Sequence, residues 1–384
     1  MNTIYLDHAA TAFPKAQGLG ECMQHYFDTL SVNINRSTYA SSTYVENIVY
    51  STRELLCELF HFNDPSHVIF TPGITHSLNY IIKGYLKPGD HCLISPFEHN
   101  AVVRPLCQLE KEGISYDLID FEPSGTLCLD NLKAQIRPNT KLVILTHASN
   151  VFGNILPIEE ISNFLSLYQI PVVLDTAQTA GHIDIDFYKL KLSALCFTGH
   201  KGLLGPSGIG GMLLTKDFAN SLTPLIAGGT GSASHLLELP SYMPDKFESG
   251  TLNIGGIYGL HHALSYLKQT SISTIHHQEM LLTKQFIEGL GDIPSIKVMG
   301  DFPLDQRVST ISIQFLNRDN ADAAYALEQQ FGILTRCGLH CTPLAHQFFG
   351  TYPEGTVRFS FGHSNTQEDV HLALEAIAQI SNKH

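Results

Sequence analysis

The stretch that decides the fold reads PVVLDTAQTAGH over residues 171–182 and then ALCFTGHKGLLGPSGIGG over residues 194–211. Each half opens on a short apolar run, bounded by polar and small residues and too brief for a buried helix. A strand of a parallel sheet reads this way when both of its faces are covered. The same short apolar runs recur at HVIF (67–70), CLIS (92–95), YDLI (116–119), LVIL (142–145) and GGMLL (210–214). Helix-length amphipathic segments separate most of them, which predicts an α/β fold with a mostly parallel sheet between helices. Residues 41–61 read as one such helix: Val45, Ile48, Val49, Leu55, Leu56 and Leu59 recur at helical spacing, and Thr43 with Glu46 forms a capping box.

After about residue 262 the texture changes. Helical patterns at 273–290, 320–331 and 366–381 surround STISIQF (309–315) and a short strand pair at 333–336 and 356–361. This predicts a smaller α+β domain, residues 262–384 together with 1–15, attached to a large domain over 16–261. The 384 residues are 43% hydrophobic and 15% charged, which excludes disordered, coiled-coil and collagen-like classes. A formal charge of −13 argues against sequence-independent binding to nucleic acid or an anionic membrane. No apolar run is long enough to span a bilayer. The eight cysteines have no disulfide-framework spacing and MNTIYLDHAA lacks the pattern of an export signal, so a reducing cytoplasm is expected.

In a parallel sheet, ligands bind beyond the carboxyl ends of the strands. Five polar clusters fall there. Asp175 and Gln178 follow PVVL, Thr198, His200 and Lys201 follow ALCF, and His147 and Asn150 follow LVIL; Gly73, Ile74 and Thr75 open the helix after HVIF, and Glu98 and His99 follow CLIS. Lys201 precedes its glycines, the reverse of a phosphate-binding G-x-x-x-x-G-K-[ST] loop. A lysine desolvated at a strand end can instead attack an aldehyde. Asp175 would keep a pyridine nitrogen protonated, and the helix N-terminus at Ile74 and Thr75 would hold a phosphate, so the set reads as a pyridoxal 5'-phosphate site. The bland alternative is a structural ion pair with ordinary turns. Glu98 either orients His99 or caps the next helix.

With YLDHAAT (5–11), NINRS (33–37), GITHSLN (73–79), SNVFGN (149–154), DTAQTAGH (175–182), TGHKGLLGPSGIG (198–210), FESGTLNIGG (247–256), RCGLHC (336–341) and VRFSFGHSNT (357–366), the chain resembles the fold-type I class V aminotransferases nearly end to end. Within them it is similar to the cysteine desulfurases and selenocysteine lyases. The resemblance implies that Lys201 carries the cofactor and then takes the substrate Cα proton, His99 stacks on the ring and delivers the proton that completes alanine, Asp175 meets the ring nitrogen and Gln178 the phenolic oxygen. Asn150 orients substrate or ring, and Thr75, Thr198 and His200 hold the phosphate. Thr251 reaches the phosphate of the other subunit of a homodimer. Arg358 takes the substrate carboxylate in a bidentate fork, and Asn33 and Arg36 line the mouth.

Cys341 would separate a desulfurase from a transaminase: as a thiolate it takes sulfur from L-cysteine and leaves L-alanine. Only a short span separates it from Arg358, which resembles the group whose cysteine sits on a tight loop, so a sulfur- or selenium-acceptor protein would have to approach it. A selenocysteine lyase, in which Cys341 is dispensable, is the alternative, followed by another class V aminotransferase or β-lyase. Cys337, His340, Cys341 and His346 lack the paired spacing of a zinc site, so no metal is expected. Leu339, Ile74 and His76 depart from the family pattern, as does the short 226–246 stretch.

Overall fold

A computed structural model describes residues 3–34, 39–122, 125–300 and 302–381. All seven apolar runs pair into one seven-stranded sheet. Its spatial order is Val68–Thr71, Gly210–Leu214, Ala194–Thr198, Val172–Asp175, Thr140–Thr146, His91–Ile94 and Ser115–Leu118. Gly210–Leu214 runs antiparallel to both neighbours and the remaining pairings are parallel. Alternate side chains enter two separate cores. Leu93, Val143, Leu174 and Leu195 face one, while Cys92, Ile144, Val173 and Cys196 face the other. The first core is closed by the helices Ala40–Leu59 and Ile254–Thr270, the second by Ile74–Tyr85 and Asn100–Leu109. Continuous apolar runs thus reflect burial on both faces.

A third core lies under a four-stranded antiparallel sheet ordered Arg336–Gly338, Thr356–Ser360, Thr310–Phe315 and Ile296–Met299. The helices Ile272–Gly291, Asn320–Phe331 and Gln367–Ser381 cover it. Near the N-terminus, Ile4–Tyr5 pairs in parallel with Ile333–Leu334, and Asp7 bridges to Ser360, so the first residues join this smaller unit.

Three details differ from the expectation. The helix Ala40–Leu59 begins before Thr43; its N-cap is Tyr39 with no side-chain bond, so Thr43 and Glu46 form no capping box. The strand Ile296–Met299 was not foreseen, because IKVM mixes a lysine into a short, half-buried edge. The division at 261/262 falls inside the helix Ile254–Thr270, whose residues Leu260, Ala263, Leu264 and Leu267 all enter the large core; the helix ends at Thr270, with Ser271 as its C-cap.

The FESGT loop is fixed by a buried ion pair. Arg53 Nη2 donates to Glu248 Oε2 at 2.7 Å, the Phe70 N–H donates to Glu248 Oε1 at 2.7 Å, and the Arg53 guanidinium lies 4.5 Å above the Phe70 ring. Removing one partner strands a buried charge. Glu248→Ala is therefore expected to lower stability by about 3–5 kcal/mol. Lys268→Ala, which breaks the exposed pair with Glu58, should cost under about 1 kcal/mol. Urea unfolding followed by circular dichroism ranks the two.

Candidate active site

The carboxyl ends of the parallel strands meet at a cavity of ≈ 230 Å³. Ile74, Thr75, His99, Asn150, Asp175, Gln178, Thr198, His200, Lys201, Cys341 and Arg358 all line it. A larger groove of ≈ 680 Å³ lies between Leu55, Leu59, Leu264 and Leu267. It mixes apolar with polar side chains and contains none of those strand-end residues, so size does not mark the reactive site.

Burial, partly offset by the Asp175 carboxylate, holds the Lys201 amine at a pKa of about 8; the Arg358 and Arg336 guanidinium groups push the same way as burial. Asp175 is 2% exposed, and burial pushes its carboxyl up, against the Ala177 N–H that donates to Oδ1 at 2.9 Å and the Lys201 ammonium. A protonated ring nitrogen would supply the missing counter-charge. His99 caps the helix Asn100–Leu109: its Nδ1 accepts from the Ala101 N–H at 3.0 Å. That bond places the ring proton on Nε2. Burial and the Lys201 charge lower His99 to about 4, so it is a neutral flat ring at pH 7.

The helix Ile74–Tyr85 starts from Gly73, which offers no capping side chain to its first N–H groups. Such groups favour an anion. A Cβ on Gly210 would stand 2.8 Å from Gly73 Cα and 2.6 Å from the Phe197 carbonyl oxygen, so only glycine lets the strand pass this close to the turn. His200, lowered to about 4 by burial and the Lys201 and Lys15 charges, bonds Thr11 Oγ1 through Nδ1 at 3.2 Å. Gln178 Nε2 donates to the Ala9 carbonyl at 3.1 Å. An amine for an aldehyde, a buried acid for a ring nitrogen and a helix N-terminus for a phosphate fit pyridoxal phosphate.

Arg358 is 2% exposed and its fork is engaged: Nη2 donates to Asp7 Oδ1 at 2.6 Å and Nη1 to the Asn150 carbonyl at 2.9 Å. Its buried Nε has no acceptor. Asn150 spends its side-chain amide on the turn around Cys341. Cys341 itself is exposed, on the rim of the cavity.

Not every expected residue converges. Thr251 and Asn33 line a separate cavity of ≈ 220 Å³ with Gly229, Thr230 and Gly231, and Arg36 lies outside the described residues. Glu98 neither orients His99 nor caps the helix. It is fully buried, accepts from Ser95 Oγ and the Thr146 N–H at 2.6 Å each, and is pushed up to about 8 by burial. His147 turns to Thr179 Oγ1 at 3.1 Å. His340 and His346 direct ring nitrogens to Thr356 and Thr351, and no group of three metal-ligating side chains stands together among the described residues. Asp7, Arg336 and Thr342 escaped the sequence reading as site residues. Asp7 lies within YLDHAAT, and Thr342 directly follows Cys341.

The sequence model of the class V aminotransferases matches residues 4–372. A probable cysteine desulfurase of Pyrococcus abyssi is 31% identical, over 98% of this chain and 94% of its own length. The chain belongs to the class V aminotransferases, in the cysteine desulfurase family. A probable cysteine desulfurase of Mycolicibacterium paratuberculosis is 30% identical, but this chain spans only 55% of it. The solved apo structure of the cysteine desulfurase of Thermococcus onnurineus superimposes with a TM-score of 0.92 at 28% identity, over 99% of this chain and 94% of that one. The Escherichia coli cysteine desulfurase CsdA gives 0.87 at 26% identity, over 98% and 94%. Pyridoxal phosphate is the cofactor of this family.

If Lys201 carries the cofactor, the neutral amine is the form that captures its aldehyde. With a pKa of about 8, roughly a tenth of Lys201 is neutral at pH 7, against well under a thousandth for an ordinary lysine. Below pH 8 the ammonium has no lone pair; above it the amine is free. Cofactor uptake by the apoprotein, followed by absorbance, should accelerate with pH and level off just above 8, and the band should be absent in Lys201→Ala.

Proposed function

We propose that the protein takes sulfur from L-cysteine, releases L-alanine and holds the sulfur as a persulfide on Cys341. The observation that carries this reading is an exposed thiol on the rim of the cavity that also contains Lys201 and Arg358. When bound, pyridoxal phosphate supplies an aldehyde for amines and an electron sink that acidifies the substrate Cα. Arg358 holds the substrate carboxylate, for which Asp7 must yield part of the guanidinium. Lys201, titrating near neutrality, takes the Cα proton and is then an ammonium in the same cavity, able to return one. His99, a neutral flat ring at pH 7, supports ring stacking. The Cys341 thiolate forms a sulfur–sulfur bond as the substrate carbon–sulfur bond breaks; the electron pair stays with carbon, which is protonated to alanine.

A homodimer is part of the proposal. Leu225, Ile226, Leu236, Leu237 and Tyr242 expose apolar surface in the segment before Ile254–Thr270, and Thr251 lies on the same segment, outside its own chain's cavity. Exposed apolar surface of this kind favours a protein partner. The eight unpaired cysteines support a reducing cytoplasm, and no helix among the described residues is long and apolar enough to cross a membrane. We place the domain division at Ser271, with the residues before Ala16 in the smaller domain.

Cys341→Ala is expected to cut alanine formation from cysteine by at least ~100-fold while keeping the cofactor absorbance. Conversion of selenocysteine by the same variant, if equal to wild type, would assign the protein to the lyases instead. Arg358→Lys keeps the charge but loses the fork, and kcat/KM for cysteine should fall roughly 10- to 100-fold.

A further inference from the structure

Cys341 stands on a turn the backbone does not favour. His340 and Cys341 both have left-handed φ, 49° and 61°, a conformation that costs a non-glycine residue roughly 1–2 kcal/mol each. Two such residues in succession persist only where neighbours over-determine them. Besides the turn's own bond from the Thr342 N–H to the Leu339 carbonyl at 2.9 Å, three bonds involving Asn100 and Asn150 do so here. The Asn100 N–H donates to the Cys341 carbonyl at 2.9 Å, Asn150 Nδ2 donates to the His340 carbonyl at 2.8 Å, and Thr342 Oγ1 donates to Asn150 Oδ1 at 2.6 Å. The assignment is internally fixed: a carbonyl can only accept, so Nδ2 must face His340, and the Thr342 hydroxyl must then give its proton to Oδ1. Thr342 is 0% exposed and Asn150 8%, so the bond between their side chains meets little competition from bulk water.

The same Asn150 accepts the Arg358 guanidinium on its main-chain oxygen at 2.9 Å. One residue therefore meets the carboxylate anchor with its backbone and the nucleophile's turn with its side chain. We propose that Thr342 is a positioning residue for the reaction: its hydroxyl locks Asn150 onto the turn, so that the thiol of Cys341 is held at a fixed place relative to a substrate anchored on Arg358. Thr342 is not among the residues lining the cavity; it acts through Asn150. This inference rests on Cys341 being the sulfur acceptor.

The step affected is sulfur transfer to Cys341, after substrate has bound. In the holoenzyme, Thr342→Val removes the hydroxyl at equal volume and Thr342→Ala removes it without adding a methyl group to a polar niche. Thr342→Ser restores it. Both hydroxyl-free variants are expected to lose about tenfold in kcat for alanine formation, the scale of a displaced reacting group. KM and the amplitude of the cysteine-induced absorbance change should stay within about twofold, and Thr342→Ser should recover kcat to within about twofold. A folding defect in the valine variant leaves the alanine variant to decide. The proposal is overturned if a folded hydroxyl-free variant keeps wild-type kcat, if KM rises in step with the fall in kcat, or if the serine variant is as slow as the others. Cys341→Ala in the same assay separates the two hypotheses. If it is inactive while Thr342→Val is normal, only the positioning role fails; if it stays fully active, the sulfur-acceptor reading fails.

Discussion

A single buried cation ties the molecule together where its parts meet. Arg358 lies on the middle of the small sheet, yet its guanidinium reaches Asp7 of the N-terminal segment and the main chain of Asn150, in the loop after Thr140–Thr146. Transfer of that charge out of water is costly unless it is paired and hydrogen-bonded. The three segments are consequently held to one another by the same requirement. The N-terminal segment carries the constraint onward: Ala9 donates to Ser360 Oγ at 2.9 Å and accepts from Gln178 beside Asp175. The expected cofactor corner and the carboxylate corner share one short strip of backbone.

A second constraint is the low polarity around Lys201. Burial depresses the lysine, His99 and His200 together, and raises Asp175 and Glu98. Each shift moves a group toward its neutral form. A strongly acidic chain can thus accept a dianionic ligand locally, since its net charge of −13 resides elsewhere and is screened over about 8–10 Å at ordinary ionic strength.

Much of this was legible before any coordinates. The central strands of the large sheet read correctly because their side chains enter two cores alternately, which leaves few polar positions to blur the run; the edge strand Ser115–Leu118, half-buried, is the least regular. The strand-end polar residues converged because parallel strands deliver their carboxyl ends to one edge. What could not be read was pairing between distant segments. Asp7 looks like any acidic residue until Arg358, 351 positions away, is seen against it. Asn150 looked like a substrate contact because sequence conveys the residue type but not which neighbour consumes its amide. Glu98 was misjudged for the same reason: its partners are Ser95 and a main-chain N–H on the adjacent strand. Thr43 failed as a cap because the helix took an extra turn from Ala40, a local choice that propensity does not settle.

If Cys341 carries the sulfur as proposed, the pinned turn also sets how that atom leaves. With the carbonyls of His340 and Cys341 and the hydroxyl of Thr342 all tied, the thiol has side-chain rotation but little reach. Delivery would then be a second-order process governed by collision frequency. Docking of two specific protein surfaces runs at about 10⁵–10⁷ M⁻¹s⁻¹, so a receiver present at micromolar concentration would arrive roughly 0.1–10 times per second. That traffic, and not the chemistry at Lys201, would then govern throughput whenever the receiver is scarce. Dissolved small thiols, which diffuse faster and need no surface, would be its natural competitors.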